Sequence, residues 1–213
     1  MTTRGKFITF EGVEGSGKST QLRLLETYLR EKGIAVAVTR EPGGTAFGRQ
    51  LRRVLLDERG PARAPIAEML LYLADRYQDL HEIIEPGLQA GKFILCDRYH
   101  DATVAYQGNG RGLDRALIAD LAGRLAIRTP DLTLLFDLDV RIGLERALAR
   151  NRQCVDSAGE RRFDEEAVAF HERVREGYLE ILKKEPERVR LIPAADSEEY
   201  IHKRVLAQID PWL

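Results

Sequence analysis

The 213 residues carry 33 lysines and arginines against 34 aspartates and glutamates, a formal net charge of −1. That balance offers no electrostatic case for binding nucleic acid or an anionic membrane surface. The two cysteines, Cys96 and Cys154, lack the paired spacing of a metal site, and a reducing compartment leaves them unbridged.

The length suits one α/β domain spanning 1–213 with a sizeable core. Met1 to Gly5 lead straight into an apolar run without a signal-peptide pattern, and no stretch approaches membrane-spanning length. A soluble cytoplasmic protein is expected.

The first predicted element is a short buried strand ending at Phe10, and Gly12 to Ser19 then spell Gly-x-x-x-x-Gly-Lys-Ser. An apolar-periodic helix runs on from Gln21 to Leu29. Strand, glycine loop and helix are the context of a phosphate-binding P-loop. Gly12, Gly15 and Gly17 let the backbone N–H groups converge on one concavity, and the helix N-terminus adds positive potential there. Val13, Glu14, Ser16 and Thr20 complete the loop, Lys18 reaches toward the β- and γ-phosphates, and Ser19 offers a hydroxyl to Mg²⁺. A nucleoside triphosphate is the implied ligand.

Lys32-Gly33 stops the helix, and Ile34 to Val38 reads as a second buried strand leaving through Thr39-Arg40-Glu41-Pro42-Gly43-Gly44-Thr45. Helices are predicted from about 48 to 57 and from about 66 to 90, with Pro86 kinking or breaking the second. Phe93 to Cys96 is the third strand, closed by Asp97-Arg98-Tyr99. Asn109-Gly110-Arg111-Gly112 reads as a loop, and Asp114 caps a helix running to about 127. Leu132 to Phe136 is the fourth strand and Arg141 to Arg150 a helix. A long amphipathic helix spans about 164 to 184, Val189 to Ile192 is the last strand, and Ser197 caps a terminal helix. Five short apolar strands separated by helices predict an α/β fold, a five-stranded parallel sheet flanked by helices.

Strand ends deliver the chemistry in such sheets. Asp97 stands where a carboxylate holds Mg²⁺ through its water shell, or else where an aspartate caps the next segment. Arg98 beside it suits a phosphate dianion. Arg40 serves similarly, or pairs at the surface with Glu41. Tyr72 and Arg76 share one helix face, able to sandwich and hydrogen-bond a base, although a core tyrosine and a surface arginine is the commoner pattern. Arg146, Arg150, Arg152, Arg161 and Arg162 crowd a segment of weak periodicity, read as a lid at about 150–163 rather than a solvated face. The four histidines show no ligand spacing. Without an Asn-Lys-x-Asp signature, a switch GTPase is excluded.

Together, Phe10-Glu11-Gly12-Val13-Glu14-Gly15-Ser16-Gly17-Lys18-Ser19-Thr20, Thr39 to Thr45, Asp97-Arg98-Tyr99, Thr103 to Gly108, Pro130 to Leu134 and Arg161-Arg162-Phe163-Asp164 resemble the thymidylate kinases. The resemblance covers essentially the whole chain. It implies the P-loop nucleoside monophosphate kinase architecture, ATP and Mg²⁺, dTMP as acceptor, dTDP as product and a homodimer packed through helices. It also implies that Glu14 lies near the sugar 3′-hydroxyl and magnesium-bound waters, and that Arg98 grips the acceptor phosphate. Tyr72 then stacks on thymine, Arg76 and Thr103 read the base, Tyr106 packs the deoxyribose, and Pro42 and Gln107 line the acceptor site. Some members carry an arginine directly after the acidic P-loop residue. Gly15 here resembles the bacterial type, whose lid supplies the cation, which would be Arg161 or Arg162. A deoxynucleoside kinase and a non-catalytic nucleotide-binding module are the rival readings.

Overall fold

The structure, a computed structural model, describes residues 5–57, 60–153 and 166–213. Five parallel strands form one sheet: β1 (Phe7–Glu11), β2 (Val36–Arg40), β3 (Phe93–Asp97), β4 (Leu132–Asp137) and β5 (Val189–Pro193), in the order β2-β3-β1-β4-β5. The helices are α1 (Lys18–Glu31), α2 (Ala46–Leu56), α3 (Pro65–Asp79), α4 (Glu85–Gln89), α5 (His100–Thr103), α6 (Arg115–Arg124), α7 (Val140–Gln153), α8 (Val168–Lys184) and α9 (Glu198–Ile209).

The central strand β1 is buried at every residue, as a strand covered on both faces requires. Its Thr9 faces Cys96 of β3 and Thr133 of β4 in register. One face of the sheet buries Ile8, Phe10, Leu25, Leu134, Phe136 and Val174 in the main core, and the other buries Phe7, Ile84, Leu88, Ile94 and Cys96. Chain order reverses beside β1, so the ends of β1, β2, β3 and β4 bring Glu11, Arg40, Asp97 and Asp137 to one edge. A ligand crevice opens at such an edge.

Several expectations shift for physical reasons. The second strand runs Val36–Arg40 rather than 34–38 and is only partly buried, because it lies at the sheet edge. The helix expected across 66–90 stays continuous, with a π-helical turn at Leu80–Ile84 joining α3 to α4. Pro86 sits in the first turn of α4, where the wider register tolerates its missing N–H. Asn109 and Gly110 are not loop residues: they end a π-helical segment, Val104–Gly110, that continues α5. Their neighbour α8 explains this. A Cβ on Gly110 would lie 2.7 Å from the Phe170 ring, and one on Gly177 would lie 2.7 Å from Asn109. Glycine there permits close helix packing, not a turn. Asp114 caps α6 as expected, its Oδ1 accepting the Ala116 N–H at 2.8 Å, whereas Ser197 occupies the N-cap of α9 without a side-chain bond.

Beneath the loop after β2 lies a group of buried carboxyls. Thr39 Oγ1 donates to Asp79 Oδ1 at 2.7 Å, and the Gly43 N–H donates to Asp75 Oδ1 at 3.0 Å. Asp79 Oδ2 and Glu41 Oε1 make no hydrogen bond. Burial pushes Asp79 up to about 7 and Asp75 up to about 6, and it raises Glu41 well above the usual carboxylate range. A raised pKa means that the folded state holds its proton more tightly than the unfolded state. The stability this contributes is full below the unfolded value of 3.8 and is lost as pH rises through about 7. Asp79→Asn keeps an acceptor for Thr39 and removes the titration. Denaturant unfolding across that window is expected to show a flatter decline than in the parent chain, by on the order of 4 kcal/mol. Parallel curves would show that Asp79 does not titrate there.

Candidate active site

The P-loop leaves β1 at Glu11 and wraps over the N-terminus of α1, which starts at Lys18 after Gly17 in a left-handed conformation. Lys18 Nζ donates to the carbonyls of Gly12 (3.0 Å) and Val13 (2.7 Å) and to Ser16 Oγ (3.2 Å). Ser16 Oγ in turn donates to Val13 O at 2.8 Å. Burial, followed by the nearby Arg98, lowers the Lys18 ammonium to about 8. At the next residue, Ser19 Oγ donates to Asp97 Oδ2 at 2.6 Å. A hydroxyl and a carboxylate so placed form an all-oxygen donor set of the kind Mg²⁺ prefers.

Beside the loop opens a cleft lined by Lys18, Ser19, Asp97 and Arg98 together with Arg40, Pro42, Tyr72 and Arg76. Glu14, Gly15, Thr103, Tyr106 and Gln107 close it. Residues at or just after the ends of β1, β2 and β3 therefore meet residues of α1, α3 and the α5 segment there, while Gly12, Val13, Ser16, Gly17 and Thr20 belong to the loop and the first turn of α1.

Glu14 is the hub of one wall. Its carboxylate accepts the Tyr106 hydroxyl at 2.6 Å and Arg98 Nη2 at 2.9 Å, and lies 3.2 Å from His171 Nδ1. Burial alone would raise this carboxyl, but Arg98, His171 and Lys18 hold it well below the ordinary range. The Arg98 guanidinium also donates to Gly12 O at 3.0 Å and stacks over the Tyr106 ring at 4.9 Å. Arg76, which also lines the cleft, is not a surface residue: it is 1 % exposed. It donates to Glu41 Oε2 (2.7 Å), Thr103 Oγ1 (2.8 Å) and Tyr99 O (2.9 Å). Glu41 therefore pairs with Arg76 rather than with Arg40: both partners are buried, whereas Arg40 is exposed at the strand end.

The chain as a whole is similar to known proteins. The family model for thymidylate kinase matches residues 10–205. The chain belongs to the thymidylate kinase family. It is 49% identical over 211 residues to the thymidylate kinase of Desulfovibrio desulfuricans, covering 97% of this chain and 96% of that one. It is 51% identical over 188 residues to the thymidylate kinase of Citrifermentans bemidjiense, covering 86% and 82%. The crystal structure of thymidylate kinase from Ehrlichia chaffeensis superposes with a TM-score of 0.78 at 33% identity, covering 98% of this chain and 100% of that one.

Within this thymidylate kinase scaffold, the glycine after Glu14 has a steric cause. Gly15 has φ +65°, and a Cβ there would lie 2.0 Å from the carbonyl oxygen of Gly143 in α7. The approach is mutual, since a Cβ on Gly143 would lie 2.4 Å from Glu14 O. No side chain fits on Gly15, so a cation in addition to Lys18 has to come from another segment. Arg161 and Arg162 lie outside the described residues, as does the Arg152 side chain. Arg150, at the end of α7, does line the cleft.

Sequence reasoning missed several groups that the fold recruits. His171 and Tyr178 arrive from α8, and Glu11 stands behind the loop; their spacing along the chain carries no signal. Arg52 donates to Pro42 O at 3.0 Å, and Glu41 neutralises Arg76. Among the described residues no helix is long and apolar enough to cross a membrane.

Gly143→Ala sets two effects against each other. Alanine favours the helix by about 1 kcal/mol, while overpacking against Glu14 O costs about 1–3 kcal/mol and displaces the P-loop peptide. The clash is expected to win, with a lower melting temperature and kcat/KM for ATP reduced about tenfold or more. A stabilised variant of full activity would show that α7 moves aside freely.

Proposed function

We propose that this chain transfers the γ-phosphoryl group of ATP to dTMP, giving ADP and dTDP. The observation that carries the reading is one cleft lined together by Lys18, Ser19, Asp97, Arg98, Tyr72 and Arg76. A lysine, hydroxyl and carboxylate suited to a triphosphate with Mg²⁺, an arginine suited to a monophosphate, and a tyrosine and arginine suited to a nucleobase thus share one cleft. Family membership supplies the identity of donor and acceptor.

In this reading the P-loop amides and Lys18 cradle the donor phosphates. Ser19 and Asp97 would hold Mg²⁺, which supplies charge neutralisation between the phosphates. Arg98 takes the acceptor phosphate, Tyr72 stacks on the base, Arg76 and Thr103 meet its polar edge, and Tyr106 and Gln107 shape the sugar side with Glu14. Pro42 and Arg40 close the acceptor loop. The attacking oxygen is a phosphate oxygen already ionised at neutral pH, so no strong general base is required. Catalysis is positioning and charge stabilisation. We assign residues 1–213 to one domain, with a lid at about 150–163 that carries Arg161 and Arg162 over the transferring group.

The test is MgATP-dependent ADP release across dTMP, dUMP, dCMP and thymidine. dTMP is expected to give the highest kcat/KM and thymidine no turnover. Lys18→Ala should lower kcat by about a hundredfold or more, by comparison with other lost transition-state donors. Preference for thymidine over dTMP would overturn the acceptor assignment.

The proposed homodimer has a candidate face. Phe47 and Val54 on α2 are 46% and 50% exposed, and Ile66, Leu70 and Tyr77 on α3 are 47%, 47% and 42% exposed. Their spacings of seven, four and eleven residues place each set in one stripe, and α2 packs on α3. Light scattering at micromolar concentration should give twice the chain mass, and Leu70→Arg should halve it while leaving the melting curve cooperative. An unchanged mass for that variant would move the interface elsewhere.

A further inference from the structure

Glu11 takes no part in the mechanism above. It does not line the cleft, and it is completely buried at the end of β1. Both of its carboxylate oxygens are nevertheless engaged: Oε1 accepts the Tyr99 N–H at 2.6 Å, and Oε2 accepts the Tyr178 hydroxyl at 2.7 Å. The residue between Asp97 and Tyr99 is Arg98, whose φ of 67° lies in the left-handed region that residues other than glycine rarely occupy. The Arg98 N–H donates to Phe10 O at 3.0 Å. The two peptides of this turn are therefore clamped side by side, one by a β1 carbonyl and one by the Glu11 carboxylate.

Tyr178 extends the clamp to the side chain. Its hydroxyl, donating to Glu11, presents a lone pair to Arg98 Nη1 at 3.4 Å. One carboxylate thus restrains Arg98 twice, through the backbone at Tyr99 and through the guanidinium by way of Tyr178. The choice of a charged group follows from this double task. A glutamine offers one oxygen and one NH₂, so if the oxygen keeps the Tyr99 N–H, the Tyr178 hydroxyl must reverse and turn its hydrogen toward Arg98. Only a carboxylate accepts from both donors and leaves the tyrosine lone pair facing the arginine.

We propose that Glu11 and Tyr178 are a positioning pair that holds the Arg98 turn, and with it the guanidinium, in the pose that receives the acceptor phosphate. The proposal rests on the reading of Arg98 as the ligand of that phosphate. Neither residue touches substrate. Their effect reaches the reaction through Arg98 alone, which separates them from residues that only stabilise the fold.

The experiment is steady-state kinetics on the full chain for Glu11→Gln, Tyr178→Phe, Arg98→Ala and the two double variants carrying Arg98→Ala. Glu11→Gln is expected to raise KM for dTMP about tenfold, and Tyr178→Phe about threefold, as hydrogen bonds to charged groups warrant. KM for ATP and the melting temperature should change little. In the Arg98→Ala background both effects should vanish, because the group they position is gone. Effects that add in full to Arg98→Ala, or that raise KM for ATP equally, would overturn the proposal and leave the pair a structural one. If Arg98→Ala raises KM for dTMP while neither single variant does, the pair is equally refuted and the acceptor reading stands. If Arg98→Ala itself leaves dTMP unaffected, the acceptor reading has failed and the proposal falls with it. Should Glu11→Gln not fold, Tyr178→Phe, which removes a single oxygen, decides the matter.

Discussion

Charge buried beneath the cleft has to be matched where it lies, and much of the site's architecture follows from that constraint. Glu14 and Arg98, Glu41 and Arg76, and Glu11 with its two donors are each set within hydrogen-bond distance, the carboxylates at or just past strand ends and Arg76 and Tyr178 on helices α3 and α8. Leaving one partner of such a pair alone costs several kcal/mol, far more than the intact pair contributes. The pairs therefore select a unique arrangement more than they stabilise it. They also leave guanidiniums already oriented before a phosphate arrives, so little side-chain freedom remains to be lost on binding.

A second constraint is contact between backbones. The P-loop approaches α7 so closely that Gly15 and Gly143 admit no side chain, and the 104–110 segment approaches α8 through Gly110 and Gly177. Helix α8 consequently reaches several parts of the site at once. Phe170 lies edge-on to Tyr106, His171 reaches Glu14, Arg175 pairs with Asp137 at 2.7 Å, and Tyr178 reaches Glu11. Arg111, at the end of the 104–110 segment, pairs with Glu166 at 2.6 Å, just before α8 begins. The residues proposed to contact dTMP are thus tied to the stretch that follows the proposed lid.

The candidate site was legible in the sequence where its parts are local. Gly12 to Ser19 announce a phosphate loop because loop, lysine and hydroxyl belong to one strand–turn–helix unit. Asp97-Arg98 announces itself by ending an apolar strand. The pairing of Tyr72 with Arg76 was legible as one helix face, but the burial of Arg76 was not. A guanidinium is buried only if a carboxylate meets it, and Glu41 lies 35 residues away. His171 and Tyr178 carried no signal for the same reason: their partners are 157 and 167 residues upstream, and no periodicity reports such a contact.

The sequence alone determined the α/β class, the count of five strands and the strand-end location of the chemistry. Those follow from hydrophobic runs, glycine loops and helical periodicity, all of which act over a few residues. Tertiary structure decided the strand order β2-β3-β1-β4-β5, which made β2 an edge strand and left Val38 of an apolar run exposed. It turned the Asn109-Gly110 punctuation into helix, because the approach of α8 needed glycine more than the chain needed a turn. It also placed Arg98 in a left-handed turn held by Glu11 and Phe10. Such outcomes depend on the summed energy of contacts between distant segments, and local preference yields to that sum wherever the two disagree.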